Sequence, residues 1–445
     1  MTTAVLGFFI LSVISAVAAG IPLIFPLLLG SVLFGLLALW KGFSLSETLT
    51  MMFSGVRTGF LVFVIFVLMG LLTAAWRASG TIAFFVYWGV RLISPGFFLL
   101  YAFLIVSAVS YLMGSSFGAV GTLGVMLMVL AKSGGVPVVM AAGAIIGGSY
   151  IGDRCSPLSG SENLIAVITE TDLAKNLRAA LRTGILPMLA ASVFYVVLSL
   201  FHPLTAMSDT MFDEIAGAYN LSPLTALPAL AVLVLPLFKC NIKATIGTSL
   251  LVSCLLAVFL QNVPPQHLIK QLVMGYEPAF SGAFAELIDG GGIRSTLGGA
   301  LIVLVSSTYS GIFQKTGVLD GADRLLLALA RRTNPFLATV VASVLTAVVA
   351  CSQTLAVMLT YQMMRPLVTD GTVERGRMAQ YLQNTVVTIS PLIPWNIAVS
   401  VSLGILGADA RCIPYAAYLY LVPLIAFLQD RAVAARGRAD AKRAG

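Results

Sequence analysis

Stretches without a single Asp, Glu, Lys or Arg recur from one end of this chain to the other: 1–40, 58–76, 92–131, 133–152, 183–208, 215–238, 244–269, 295–314, 333–364, 378–408 and 412–429. A helix needs about 20 apolar residues to cross a bilayer. In hydrocarbon, only structures that satisfy their own backbone hydrogen bonds survive. The windows therefore predict an all-α polytopic membrane protein with roughly 10–13 transmembrane helices. Composition agrees: 59% of the 445 residues are hydrophobic and 10% charged, against roughly 25% charged in soluble domains. Window 1–40 is long enough for two crossings turning at Gly20-Ile21-Pro22. It lacks the basic n-region and cleavage site of a signal peptide, so the N-terminus is expected to be retained.

Charge and cysteine usage exclude several function classes. The net charge of +8 is concentrated at the end, in Arg431, Arg436, Arg438, Lys442 and Arg443. Basic residues beside a span favour the cytoplasmic side, which places the C-terminal tail inside the cell. On a polytopic chain such a tail is a topology signal and not a nucleic-acid surface. The five cysteines, Cys155, Cys240, Cys254, Cys351 and Cys412, form no CxxC pair, which argues against a disulfide framework or a zinc site. The two histidines, His202 and His267, lie beside prolines in expected loops. No metal site and no catalytic constellation is expected. Tyr150-Ile151-Gly152-Asp153 has a faint likeness to intramembrane aspartyl proteases, but no second span offers a partner Asp, and there is no HExxH. An enzyme is not expected, and a passive channel is the other alternative.

Against this apolar background, Gly147–Ala166 stands out. It sets Asp153, Arg154 and Glu162 around the turn Ser156-Pro157-Leu158-Ser159, directly after 20 uncharged residues. A charge at membrane depth costs a few kcal/mol or more and marks an ion or substrate pathway. Broken backbone at that depth persists only where it lines an enclosed cavity. A loop at the membrane surface is the alternative.

Features of the first half recur in the second. Ala78–Ile82 matches Lys315–Leu319, Arg91–Pro95 matches Arg331–Pro335, Gly114-Ser115-Ser116 matches Cys351-Ser352-Gln353, and Ser156-Pro157-Leu158 matches Ser390-Pro391-Leu392, at offsets of 237, 240, 237 and 234. The expected organisation is a first transmembrane repeat at 1–201, a polar linker at 202–222, a second repeat at 223–429 and a basic tail at 430–445. A second polar insertion, Val263–Arg294, contains a short amphipathic helix around Leu268, Leu272 and Val273. Paired discontinuous helices are the sequence pointer to a secondary transporter, whose site forms where the breaks meet near the midplane. The expected breaks involve Gly114, Pro157, Pro391 and Pro394. Their polar residues are the candidate ion or substrate ligands: Ser115, Ser116, Thr122, Ser156, Ser159, Asn163, Ser352, Gln353, Thr354, Gln383, Asn384, Thr388, Ser390 and Asn396. Asp153 and Glu162 are the candidate ion-coupling residues. A buried carboxylate ligates Na⁺ or takes up H⁺, so competition for it is a simple basis for exchange.

Three strings together, Gly114-Ser-Ser-Phe-Gly-Ala-Val-Gly-Thr-Leu-Gly124, Gly152-Asp-Arg-Cys-Ser-Pro-Leu-Ser159 with Asn163, and Ser390-Pro-Leu-Ile-Pro-Trp-Asn396, resemble the NhaC-type sodium/proton antiporter family of the ion transporter superfamily. The resemblance implies a bacterial inner-membrane carrier with inverted repeats and Na⁺ and H⁺ as coupling ions, without other cofactors. Some family members carry malate and lactate, or amino acids, so a small amino acid or carboxylate joins the bilayer and the cations as an expected partner. The chain departs from the family in two places. A Ser-Asp-Thr-Thr-Asn pattern is replaced by Ser159-Gly160-Ser161-Glu162-Asn163, and Leu-Glu-Asp by Leu382-Gln383-Asn384. The departures shift weight towards solute transport coupled to one cation. A homodimer is compatible with the sequence, which selects no oligomeric state.

Overall fold

Two glycine contacts hold together the central helix pair of the computed structural model. A Cβ on Gly55 would overlap the Ser307 carbonyl oxygen, and one on Gly311 would overlap the Met51 carbonyl. Further along, a Cβ on Gly70 would lie 2.6 Å from the Gly292 carbonyl oxygen. Small residues let helix backbones touch where no hydrophobic effect drives association. This is how α1 (Leu45–Ala78) and α7 (Gly292–Thr316) pack into a central pair. Around them stand α2 (Phe98–Met113), α3 (Ser116–Ser133, with a π turn at Val120–Gly124), α4 (Val138–Cys155), α5 (Gly160–Thr169) and α6 (Leu173–Phe201) from the first half. The second half supplies α8 (Pro335–Ala350), α9 (Gln353–Thr369), α10 (Arg375–Asn384), α11 (Ile397–Leu406) and α12 (Ala417–Ala444). The structure describes all residues except 1, 20, 93, 205–208, 239, 241, 317–321 and 445. The turn at Gly20, part of the 202–222 segment, and Ile93 and Gly317–Leu319 of the internal matches therefore lie outside the described residues.

The protein is all-α, with no strand among the described residues beyond a single bridge between Tyr276 and Gly290. Among them, four unbroken helices are long and apolar enough to cross a membrane: Pro95–Met113, Ser116–Ser133, Leu173–Phe201 and Gly292–Phe313. Three further pairs are bent by 66°, 92° and 49° at a short break, and apolar helices such as Ala4–Ala16 and Ile24–Trp40 are shorter. Many of the charge-free windows are thus interrupted, and the interruptions are what the polar residues serve. The predicted 202–222 linker contains a helix, Asp209–Ala218, whose Glu214 carboxylate accepts from the Phe284 N–H at 3.1 Å. The 263–294 insertion forms the helices Pro265–Met274 and Ala283–Ile288.

Helix α6, 29 residues long and so about 44 Å from end to end, separates two poles. At one, Leu204 donates its N–H to the Pro95 carbonyl at 3.0 Å and packs against Gly134. Segment α2–α3 thus leaves and returns to the Leu204 pole. At the other, Asp430 accepts from Asn334 and Arg377 at 2.8 and 2.7 Å, and Asp370 pairs with Arg331 at 3.2 Å. Segment α8–α9 thus leaves and returns to the Asp430 pole. Each of α2 and α8 has 16 residues and ends on a left-handed residue, Gly114 (φ 65°) or Cys351 (φ 52°), followed by an extended serine.

Replacing Gly55 by Leu should separate α1 from α7 and cost about 1–3 kcal/mol or more. The expected readout is a lowered thermal midpoint of the solubilised protein, with Gly247→Leu, which faces open space, leaving it unchanged.

Candidate functional site

A helix that stops inside an apolar protein strands carbonyls at its end and N–H groups at its start. At the end of α8, Ala347 O accepts from Asn396 Nδ2 at 2.8 Å, Val348 O from Trp395 Nε1 at 3.0 Å, and Cys351 O from the Ile397 N–H at 2.8 Å. Trp395 and Asn396 are therefore the capping groups of a broken helix. Asn396 also caps its own α11, accepting from the Ala398 N–H at 3.0 Å. In the first half, the 156–159 turn closes on the other break. A Cβ on Gly114 would lie 2.6 Å from Leu158, so only glycine fits this left-handed position against the turn.

Asp153 sits where the two first-half breaks meet. Its carboxylate accepts from Ser116 Oγ at 2.6 Å and from the Ser116 N–H at 3.3 Å, while Ser159 Oγ donates to its main-chain carbonyl at 2.6 Å. Ser115 accepts from the Gly118 N–H at 3.2 Å, so the start of α3 is capped on two sides. The carboxylate thus lies at the positive end of an 18-residue helix. It borders a cavity of about 450 Å³ lined by Ser115, Ser116, Ser161, Ser306, Ser307, Ser352, Gln353 and Thr354. Asp153 is the only charged residue lining it among the described residues. Gln353 Nε2 donates to Ser161 Oγ at 2.9 Å, joining the tip of the second-half hairpin to the first-half turn.

Of the residues the sequence singled out, Ser115, Ser116, Asp153, Ser352, Gln353 and Thr354 are brought to this cavity. Ser161, Ser306 and Ser307 also line it. The sequence did not mark Ser306 and Ser307, since a serine in an apolar helix carries no motif and only the α1–α7 crossing points them inward; Ser161, at the start of α5, is drawn in by its bond to Gln353. Others serve the backbone: Thr122 donates to Gly118 O at 2.6 Å, Ser390 to Val386 O at 2.7 Å and Thr388 to Thr385 O at 3.2 Å. Ser156 accepts from the Leu158 N–H at 3.2 Å, and exposed Asn163 folds back onto Ser159 O at 2.7 Å. Pro391 lies in a buried 3₁₀ turn and Pro394 two residues before Asn396, which places the prolines where the helix stops.

Arg154 points away from Asp153, with which it forms no ion pair. Fully buried, its guanidinium donates to Asn384 Oδ1 at 2.6 Å, Thr183 Oγ1 at 2.7 Å and Tyr418 OH at 3.1 Å, and Gly184 makes room for it. Glu162, also fully buried, accepts from Gln383 Nε2. Glu162, Gln383 and Asn384 thus form a second polar cluster outside the Asp153 cavity. Two further cavities lead inward from the poles. One, of about 510 Å³, runs from Arg377 and Asp430 down to Thr183 and Asn384. The other, of about 480 Å³, is lined by Arg77, Lys132, Glu286 and Asp289 at the opposite pole.

Residues 148–428 match the sequence profile of the Na⁺/H⁺ antiporter family. The chain belongs to that family. It is 28% identical to the Na⁺/H⁺ antiporter NhaC of Bacillus subtilis (strain 168) over 411 residues, 91% of each chain. It is 25% identical to a malate-2H⁺/Na⁺-lactate antiporter of the same organism, over 91% of this chain and 88% of the relative. It is also 25% identical to the arginine/ornithine antiporter ArcD of Halobacterium salinarum, over 92% and 86%. This antiporter-family chain is thus a multi-pass membrane protein of a transporter family whose named exchanges include both inorganic cations and organic solutes.

The cap geometry yields a direct test. Asn396→Ala should cost about 0.5–2 kcal/mol and leave the Ala347 carbonyl unpartnered, lowering the thermal midpoint of the purified protein. Trp395→Phe, which leaves Val348 O with the Cys351 thiol as a weaker partner at 3.6 Å, should lower it less. Cys155 and Cys351 are buried, at 2% and 0% exposure, so neither thiol meets water in this state. Maleimide labelling of either in the folded protein should be much slower than labelling of the exposed Cys240.

Proposed function

We propose that the protein is a cation-coupled secondary active antiporter in which Asp153 is the coupling carboxylate. The observation that carries this reading is the placement of one carboxylate in a hydroxyl-rich cavity enclosed by the helix breaks of both halves. A hard monovalent cation prefers oxygen ligands. Ser306 and Ser307 donate to the Val303 carbonyl, which leaves their oxygens free to accept a cation. With Na⁺ and H⁺ competing for Asp153, occupancy by one releases the other, which is the minimum chemistry of exchange.

For the transport cycle we propose inverted repeats and alternating access. The two hairpins come from opposite poles, and each pole has its own cavity aimed at the centre. The α1–α7 pair is the static frame, and residues 95–168 and 335–396 form the moving part. We infer a bacterial inner membrane with the Asp430 pole on the cytoplasmic side, a reading supported by the basic tail and by the family's cation exchange.

A second reading is favoured by the cavity's volume. About 450 Å³ falls in the range of small-molecule sites, roughly 300–1,000 Å³, and far exceeds the need of a bare cation. It fits Na⁺- or H⁺-linked exchange of a small carboxylate or amino acid, which agrees with the solutes named for two of the relatives.

The test is a Na⁺ pulse to sealed proteoliposomes holding a pH gradient, read with an internal pH dye. Wild type should collapse the gradient rapidly, and Asp153→Asn should slow the collapse at least about tenfold, the loss expected when a titrating group is removed. Collapse at the wild-type rate in Asp153→Asn would sink the assignment. Collapse only in the presence of malate, lactate or a basic amino acid would select the second reading.

A further inference from the structure

The turn and helix that carry Glu162 bring a carboxyl group against a carboxamide in the buried interior, and the pairing is half complete. Gln383 Nε2 donates to Glu162 Oε2. The second oxygen of each group, Glu162 Oε1 and Gln383 Oε1, is buried without a hydrogen-bond partner. Both residues are 0% exposed. An ionised carboxylate accepts only, and an amide oxygen accepts only. Each unpartnered acceptor of this buried pair carries its own desolvation penalty.

One proton removes both deficits. A protonated carboxyl on Glu162 donates from Oε1, and the carboxamide oxygen of Gln383 accepts. The result is the cyclic acid–amide pair, with one bond in each direction. The structure assigns Glu162 with Gln383 as a proton-binding site separate from the Asp153 cavity. Binding forms one O–H bond on Glu162 as one O–H bond of a hydronium ion breaks and leaves water, with no change of oxidation state.

The surroundings make that proton exchangeable. The charged groups acting on Glu162 among the described residues are Arg154 and Asp153, both from α4, with the Cys155 thiol beside them. Helix α10 presents Gln383 and, one residue on, Asn384, which holds Arg154. Arg154 is otherwise bonded to neutral groups alone. When the proton leaves, the Glu162 anion finds this buried cation nearby. When it returns, the amide ring replaces that interaction. Consecutive amides, Gln383 and Asn384, thus tie a carboxyl group and a guanidinium into one unit between the two halves. The site's role in coupling rests on the antiporter reading above, whereas its protonation does not.

The experiment is infrared spectroscopy of the purified full-length protein in lipid at neutral pH, following protonated-carboxyl C=O bands that shift in D₂O. Wild type should show such a band. Glu162→Gln should remove it, Asp153→Asn should leave it in place, and Gln383→Leu should shift it as the acid loses its ring partner. A wild-type spectrum without the band, or a band that persists in Glu162→Gln, would overturn the assignment. Should Glu162→Gln fail to fold, Gln383→Leu decides, because an unshifted band would show that the amide does not hold the acid. Since the band is read without transport, its failure is distinct from a failure of the Asp153 gradient assay.

Discussion

The architecture depends on one constraint: a helix broken inside an apolar protein must find hydrogen-bond partners for the groups the break exposes. In water those partners are free, and in a membrane they must be supplied by other segments of the chain. Here the breaks supply one another. The 395–397 segment closes the end of α8, the 156–159 turn closes against Gly114, and Ser116 at the start of α3 binds Asp153 at the end of α4. Tyr150 OH adds a bond to the Ala398 carbonyl, linking the halves directly. The first three closures each form within one half, and only the Tyr150 bond needs both, so each half closes its own breaks and the polar centre is completed where the halves meet.

That mutual capping also explains where the cavity is. Trp395 and Asn396 are committed to closing the end of α8, while Asp153, Gln353 and a group of hydroxyls face the cavity. The frame of α1 and α7 contributes Ser306 and Ser307 because glycine contacts bring α7 close enough to α1 for the two to share a wall with the hairpin tips. Arg154 and Glu162, adjacent to the same turn in sequence, face the other way and join α10 and α12. Neighbours on a helix point about 100° apart, so Asp153 and Arg154 enter different compartments.

The loss of acidic residues at 383 and 384, relative to the family pattern, acquires a physical meaning in this arrangement. Gln383 bonds Glu162 and Asn384 bonds Arg154, so the amides act as connectors between two buried groups of opposite formal charge. The carboxyl group of this cluster stands at 162, on the first-half hairpin, while the second half contributes neutral partners. Among the residues of the two polar clusters, Asp153 and Glu162 are the acidic ones, and the second half adds only neutral amides and hydroxyls to them.

The sequence by itself determined the fold class, the positions of the helix breaks and the identity of the polar segments. Charge-free windows of membrane length admit no other class, and Gly114, Pro157, Pro391 and Pro394 mark where helices stop. It also marked Asp153, because a carboxylate after 20 uncharged residues has few reasons to be there. Only the tertiary structure decided which polar side chains face the cavity and which are spent on backbone. Asn396 and Thr122 looked like ligands and are caps and intrahelical bonds, while Ser306 and Ser307 looked like filler and line the wall. The reason is geometric: spacing along the chain tells which residues share a helix, but the partner of a stranded carbonyl lies on a segment dozens or hundreds of residues away.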